Sequence, residues 1–515
     1  MSRLTPIRRS PCLPSPARLL ALFISVVSVS VAATPLTECR FESIPRSRIV
    51  VLTDMGNEAD DSQTMVRLLM YSNQFDIEGL IAVSSCHQYA GKNDTDPIRN
   101  NVQPTMITER IRAYGQVRAN LLLHASGWPT EEHLMARVGR GPPGYGMDDV
   151  GDGHTTDGSD LIGRALTSDD PRPLYVCINA GANCLAQALW DLRARLTPTA
   201  FAAALAKLSV YDDAGQDNAG AWIAQTYPQV RYYRSQSQVF SFMSNNGPVT
   251  WNPAAPYPGK GQHDWARKHV MANHGPLGAL YPRREKWQHP EIDNTIEGGG
   301  TSTWIGHANH GLYFPEQPTW GGWGGRFASS KQENVRANQL KIPNMQDTEE
   351  KFMPFQMVPE ASDRWTDPET GKTYADLGTP IYRWRRAYQN DFQARMDWCI
   401  EPFAKANHNP VAAINGDNTD RLVRVTTTAG TPFSFDASAS TDPDGNKLSY
   451  HWFLYPEAGT YRGPIPLVST DGPTARLTAP VDAADTQLHL ILEVRDDSAI
   501  AKLSDYRRIV IDVRP

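Results

Sequence analysis

The chain has 515 residues, with 50 Lys and Arg against 56 Asp and Glu, a formal net charge of -6, and no basic run in its body. This balance argues against a nucleic-acid partner, and 40% hydrophobic residues with 13 Trp and 19 Tyr describe a folded, aromatic-rich protein and not a disordered one. Aromatic wealth of this kind suits stacking on carbohydrate and equally suits a core.

Residues 1–33 read as a secretory signal peptide: Arg3, Arg8, Arg9 and Arg18 precede an apolar run from Leu19 to Val31, and the small residues Ala32 and Ala33 follow. The expectation is cleavage near Ala32 or Ala33 and a secreted or periplasmic product, with a retained anchor as the alternative. No later stretch approaches the roughly 20 apolar residues of a membrane span, so no membrane association is expected after cleavage. The mature chain keeps Cys39, Cys86, Cys177, Cys184 and Cys399, an odd number with no CxxC pair. That excludes zinc fingers and thioredoxin-like sites and leaves at least one thiol free or intermolecular. Cys177 and Cys184 fall in apolar or helical surroundings that suit buried thiols.

From Arg48 the run RIVVLTD predicts a strand buried on both faces, followed by a helical pattern through Met65, Leu68, Leu69 and Met70 and a second strand, DIEGLIAVSS. The unit recurs as PLYVCINAG with NCLAQALWDLRA, and again as KLSVYDD with AGAWIAQTYP. Strand, helix and strand at this spacing imply right-handed parallel crossovers, so residues 45–330 are expected to form an open, mostly parallel α/β domain. Residues 331–407 read as an extension of it, with a hairpin at WTDPETGKTYAD and an amphipathic helix from Pro380. After the Asn-rich segment NHNPVAAINGDNTD, short alternating runs over 408–515 predict an all-β, Ig-like sandwich. There, TDPDGN admits a calcium loop or, more simply, a hairpin turn.

The most informative loop is VLTDMGNEADDSQTM. It places Asp54, Asp60 and Asp61 between a buried strand's C-terminal end and a helix N-terminus, where open α/β sheets bind ligands. Either these carboxylates gather a divalent cation, and clustered hard oxygens favour Ca²⁺, or Asp60 and Asp61 only cap the helix. The loop resembles the N-terminal signature of nucleoside hydrolases. In its longer form, Asp54-Met55-Gly56-Asn57-Glu58-Ala59-Asp60-Asp61, it is similar to the secreted nucleoside-hydrolase-like family known as cellulose-binding. FDIEGLIAVSS, GANCLAQALW, DNAGAWI, NHGPLGALYP, PEQPTWGGWGGRF and the later DPDG and YPEAGTY segments agree with it.

The resemblance implies a nucleoside-hydrolase type of sheet, with Asp54 as metal ligand and catalytic general base, Asp61 as metal ligand, the Asn179 backbone carbonyl as a further ligand, and Asp60 on vicinal sugar hydroxyls. It also exposes a departure. The late His-Asp-Pro ligand motif is missing, since His263-Asp264 is followed by Trp265, and Glu297, which stands before Gly298-Gly299-Gly300, is the substitute candidate. Gln216, Asp217 and Asn218 are sugar-binding or helix-capping candidates, and Asn183 a cap. His274, His307, Asn309 and His310 sit in Gly-containing loops that suit a ligand or a structural hydrogen bond. Trp320 and Trp323 either stack on sugar or pack a tight turn.

Two functions follow. One is a secreted, calcium-dependent hydrolase of N-glycosyl or glycosyl bonds acting on a nucleoside or a carbohydrate. The other is a non-catalytic protein that binds plant or cell-wall polysaccharide such as cellulose on a hydrolase-derived scaffold.

Overall fold

The structure, a computed structural model, describes residues 10–11, 38–56, 59–92, 98–242, 265–282, 299–308, 311–333, 349–468 and 470–515. The signal-peptide reading therefore falls almost wholly outside the described residues, as do Glu297, Asn309 and His310. The chain divides into two compact units: one is Pro45–Asn309 with Tyr313–Ala406, the other Met1–Ile44, His310–Leu312 and Asn407–Pro515.

The first unit is built on six parallel strands: β1 (Arg48–Thr53), β2 (Asp76–Ala82), β3 (Val138–Arg140), β4 (Leu174–Ile178), β5 (Leu208–Asp213) and β6 (Arg231–Ser235). Their order is β3-β2-β1-β4-β5-β6. Every residue of β1, β4 and β5 is buried, which is why β1 and β4 run apolar without alternation. The order reverses direction between β1 and β4, so a crevice opens at the carboxyl ends of those two strands. Helices α1 (Ala59–Leu69), α2 (Pro104–His124), α3 (Asp157–Thr167), α4 (Asn183–Arg195), α5 (Pro198–Lys207) and α6 (Ala219–Thr226) join the strands. Val50, Leu52, Val176, Ile178 and Val210 from the strands, and Leu185, Leu189 and Ile223 from helices, share one core.

The segment after residue 348 folds back onto the first unit. Asp363–Thr366 pairs with Thr373–Asp376 as a hairpin, and α7 (Arg385–Asp397) docks against α1 and the turn after it. Tyr71 donates to Asp391 at 2.5 Å, Arg67 to Gln389 at 2.6 Å and Arg395 to the Met70 carbonyl at 3.0 Å. α7 is thus amphipathic in shape but holds its neighbour through polar groups as well as apolar ones.

The second unit is a sandwich. Its larger sheet runs Ser10–Pro11, Glu38–Glu42, Leu422–Thr428, Ser504–Arg514, Thr486–Asp496, Leu448–Leu454, and its smaller one Pro432–Asp436, Thr474–Thr478, Leu467–Val468. Val423, Val425, Leu490, Leu492, Ile509 and Ile511 meet Phe433, Phe435, Ala475 and Leu477 across a common core. One strand was not expected: Glu38–Glu42, which precedes the α/β unit in the chain, pairs antiparallel with Leu422–Thr428 and puts Cys39 into this core. TDPDGN is a turn, in which Asp442 accepts from the backbone N–H groups of Asp444 and Asn446 and Gly445 sits at φ 77°. Cys39, Cys86, Cys177, Cys184 and Cys399 are all buried.

Candidate active site

The loop after β1 turns sharply at Gly56, whose φ of 109° favours glycine and whose missing Cβ leaves room for the side chain of Ile98. It then enters α1 with Asp60 and Asp61 in the first turn. Asp61 is 5% exposed and accepts from the Thr53 hydroxyl at 2.6 Å and from the Asp54 N–H at 2.9 Å. Asp54, 6% exposed, accepts from Ser85 Oγ at 2.5 Å. Ser85, just beyond β2, also accepts from the His87 N–H at 3.0 Å, while Gln88 donates to the Met55 carbonyl at 3.3 Å. Loops after β1 and β2 are thereby tied into one wall. Asp60 is half-buried beside them.

Burial raises the Asp54 carboxyl against hydrogen bonds that favour its ionised form, and it raises Asp61 well above the usual range, with Asp54 and Asp60 adding repulsion. Half-buried His87 is held below its ordinary value by burial, while Asp54 pulls it back up. A cation or protons relieve such a group of acids.

The end of β4 supplies Asn179, 2% exposed, whose Oδ1 accepts from Thr303 at 2.8 Å. Its backbone carbonyl, the expected metal oxygen, accepts from Gln216 Nε2 at 2.7 Å. A carbonyl has two lone pairs, so this bond leaves one for a further partner. Asn179 Nδ2 is buried without a hydrogen-bond partner. Asp213 closes β5 at 5% exposure, and burial together with Asp60, Asp212 and Asp54 lifts its carboxyl well above the ordinary range. Among the described residues, no three His, Cys, Asp or Glu side chains converge at metal-ligating spacing. The hard oxygens of Asp54 and Asp61 nevertheless fit a divalent cation by type.

Several expected site residues serve the scaffold instead. Asp217, 1% exposed, accepts from the N–H groups of Asn183 at 3.1 Å and Ala219 at 2.9 Å, and so caps α4 and α6. α4 has no capping side chain of its own, which explains the need. Gly181 permits the arrangement, since a Cβ there would meet Asp217 Oδ2 at 2.5 Å. Burial lifts Asp217 to about 6 against those N–H bonds. Asn218 is fully buried and accepts from the Met147 N–H at 2.8 Å. Asn183 donates to Ser84 Oγ at 2.9 Å and to the carbonyls of Pro142 and Gly144 at 3.1 Å, pinning loops. His274 bridges the Ala272 carbonyl at 2.7 Å and Asp397 at 3.0 Å. Trp320 and Trp323 are 5% and 2% exposed and pack edge-on against Phe314 and Tyr388. Rings so enclosed offer no face to a polysaccharide, so the stacking role is corrected to core packing.

Ser85, His87, Thr303 and Asp213 join the edge without having been expected there. The one available signal was the strand register, which sets Asp212 level with Ile178 and Leu52 and hence Asp213 one step further, at the sheet's carboxyl edge.

The chain is similar to known proteins in both units. A family model described as cellulose-binding Sde182, nucleoside hydrolase-like domain, matches residues 48–327, and one described as cellulose-binding protein Sde0182, C-terminal domain, matches residues 432–513. A solved structure of a nucleoside hydrolase-related hypothetical protein from Saccharophagus degradans, associated with carbohydrate metabolism, superposes with a TM-score of 0.75 at 34% identity. That similarity covers 91% of this chain and 100% of the other. No curated protein matches.

Proposed function

The chain belongs to the cellulose-binding family with a nucleoside hydrolase-like domain, and from that premise we propose that it is a secreted hydrolase of glycosyl bonds acting on carbohydrate derived from plant or cell-wall polysaccharide. The observation that carries this reading is the buried pair Asp54 and Asp61, held by Thr53 and Ser85 at the crevice where the sheet order reverses. Keeping two carboxylates dry costs stability, and such costs concentrate at functional sites.

Asp54, Asp61 and the free lone pair of the Asn179 carbonyl would hold a Ca²⁺ ion, which when bound lowers the pKa of a water molecule. Asp54 takes the proton from the attacking water. Asp60, half-exposed at the rim, accepts hydrogen bonds from sugar hydroxyls and favours positive charge developing at the anomeric carbon. Thr53 and Ser85 fix the two acids so that neither swings away as charge forms.

Incubation of the mature chain with Ca²⁺ and a panel of nucleosides, nitrophenyl glycosides and cell-wall oligosaccharides tests the reading. Release of reducing sugar that chelation and Asp54→Asn both abolish supports it. A second reading, non-catalytic polysaccharide binding, is favoured by the engagement of the Asn179 carbonyl by Gln216 and by the absence of a third converging ligand among the described residues. It predicts retention on insoluble cellulose by both wild type and Asp54→Asn, with no sugar released.

A further inference from the structure

Asp212 and Asp213 are consecutive, buried, and differ completely in their surroundings. Asp212, 1% exposed, is saturated: it accepts from the Gly215 N–H at 3.1 Å, from Tyr232 Oη at 3.0 Å and from Arg234 Nε at 3.0 Å. Successive side chains of a strand point to opposite faces, so Asp213 faces the other way. There, among the described residues, no hydrogen bond or ion pair reaches its carboxyl, and the charged groups that act on it, Asp60, Asp212, Asp54 and Glu360, are all acidic. Glu360 is itself engaged by Ser235 Oγ and by the N–H groups of Gln236, Ser237 and Gln238, so it has no proton to give to Asp213. A residue that is 95% buried and whose carboxyl has no hydrogen-bond partner among the described residues carries an uncompensated cost unless a ligand completes it.

Its place in the sheet says what that ligand meets. Leu52 pairs with Ile178 and Ile178 with Asp212, so Thr53, Asn179 and Asp213 stand level at the ends of three adjacent strands. Two inter-strand spacings, about 10 Å, separate the backbones at β1 and β5. Asp213 thus stands across β4 from the loop that carries Asp54, and among the described residues no three side chains of metal-ligating type converge. An acid and a base carboxyl on either side of a bound sugar and water, about 6.5–9.5 Å apart, is the arrangement of inverting glycoside hydrolases.

We propose that Asp213 is the general acid of this site, and that the bond cleaved is therefore an O-glycosidic one. The inference rests on the hydrolase reading above and narrows it. In the step, a water oxygen bonds to the anomeric carbon as the bond from that carbon to the leaving oxygen breaks. The water proton passes to Asp54, and the carboxyl proton of Asp213 passes to the leaving oxygen, which departs as a neutral alcohol. Solvent returns the proton from Asp54 to Asp213, so the net reaction is addition of one water. An alkoxide is a poor leaving group and needs this proton, whereas a dinitrophenolate does not. Burial and the neighbouring acids Asp60, Asp212 and Asp54 push the Asp213 carboxyl upward, toward the protonated form that a general acid needs.

The test compares Asp213→Asn and Asp213→Glu with wild type on two substrates of one sugar, the oligosaccharide and the dinitrophenyl glycoside. Asp213→Asn is expected to lose roughly 10²- to 10⁴-fold in kcat/KM on the oligosaccharide, with little loss on the dinitrophenyl glycoside and no alkaline limb in its pH profile. Asp213→Glu is expected to retain that limb with reduced activity. Equal losses on both substrates, an alkaline limb that survives in Asp213→Asn, or a wild type that cleaves nucleosides but no O-glycoside overturns this inference and leaves the hydrolase reading standing. A wild type that cleaves nothing overturns both.

Discussion

Asp61 accepts the backbone N–H of Asp54 at 2.9 Å, so the first turn of α1 closes the very loop whose other carboxylate it repels. Two opposed terms act on one side chain, and they can be separated. Asp61→Asn keeps an acceptor for Asp54 and Thr53 while removing the charge, and it is expected to raise the melting temperature in chelator. It should also abolish the stabilisation of wild type by Ca²⁺, which reaches about 2.7 kcal/mol at 100-fold excess over Kd. Calorimetry with and without Ca²⁺ checks both signs, and a wild type indifferent to Ca²⁺ and chelator would remove the metal from the proposed chemistry.

Asp217 provides a contrast, because its carboxylate is spent on two helix N-termini. Asp217→Ala leaves the N–H groups of Asn183 and Ala219 unpaired in the interior, at a cost of about 1–3 kcal/mol for each lost partner. The variant is expected to melt earlier in chemical denaturant, with substrate KM unchanged in the fraction that folds. A rise in KM at unaltered stability would return Asp217 to the binding site.

Trp320→Ala and Trp323→Ala each empty a buried aromatic position, and losses of about 3–5 kcal/mol are expected. Retention on cellulose, measured per folded molecule, should be unchanged. Weakened retention without loss of stability would mean that a ring face is presented to glycan after all.

The sandwich takes its strand Glu38–Glu42 from ahead of the α/β unit, so the segment from about 408 onward does not contain the whole of its larger sheet. A chain beginning at residue 34 keeps the strand, and one beginning at residue 45 loses five backbone pairings along Leu422–Thr428 and exposes Val423 and Val425 at an unpaired edge. The shorter chain is expected to aggregate or to show a lower melting transition by calorimetry. Coincident melting of the two would make the strand dispensable.

The parts of this molecule legible in its sequence are those governed by local pattern. Apolar runs announce β1 and β4 because both faces of those strands are covered, and the Asp60-Asp61 pair marks the start of α1. What stayed hidden depends on pairings between distant residues. ECRFE reads as a polar segment and becomes a strand only through Leu422–Thr428, 380 positions later in register from Glu42 to Leu422. The Trp pair of WGGWGG looks like a sugar platform until Phe314 and Tyr388 cover it. Asp213 and Asp212 are equivalent in the string DD, and the partners that saturate one of them, Tyr232 and Arg234, lie on the neighbouring strand β6.

His307 gives a pH dependence of definite sign. Its ring lies 4.6 Å from Tyr175, with Nδ1 3.2 Å from Ser47 Oγ, and burial pushes its pKa down to about 3. The unfolded chain binds a proton near pH 6.5 whereas the folded chain does not, so stability falls as pH drops from about 6.5 toward 3 and is unaffected by this group above that window. At pH 5 the penalty is about 2 kcal/mol, at 1.36 kcal/mol for each unit below the unfolded value. His307→Gln, which cannot ionise, is expected to lose less stability than wild type between pH 7 and pH 5, as read from denaturant midpoints at the two pH values. Parallel losses in the two proteins would show that the buried imidazole takes up its proton without cost.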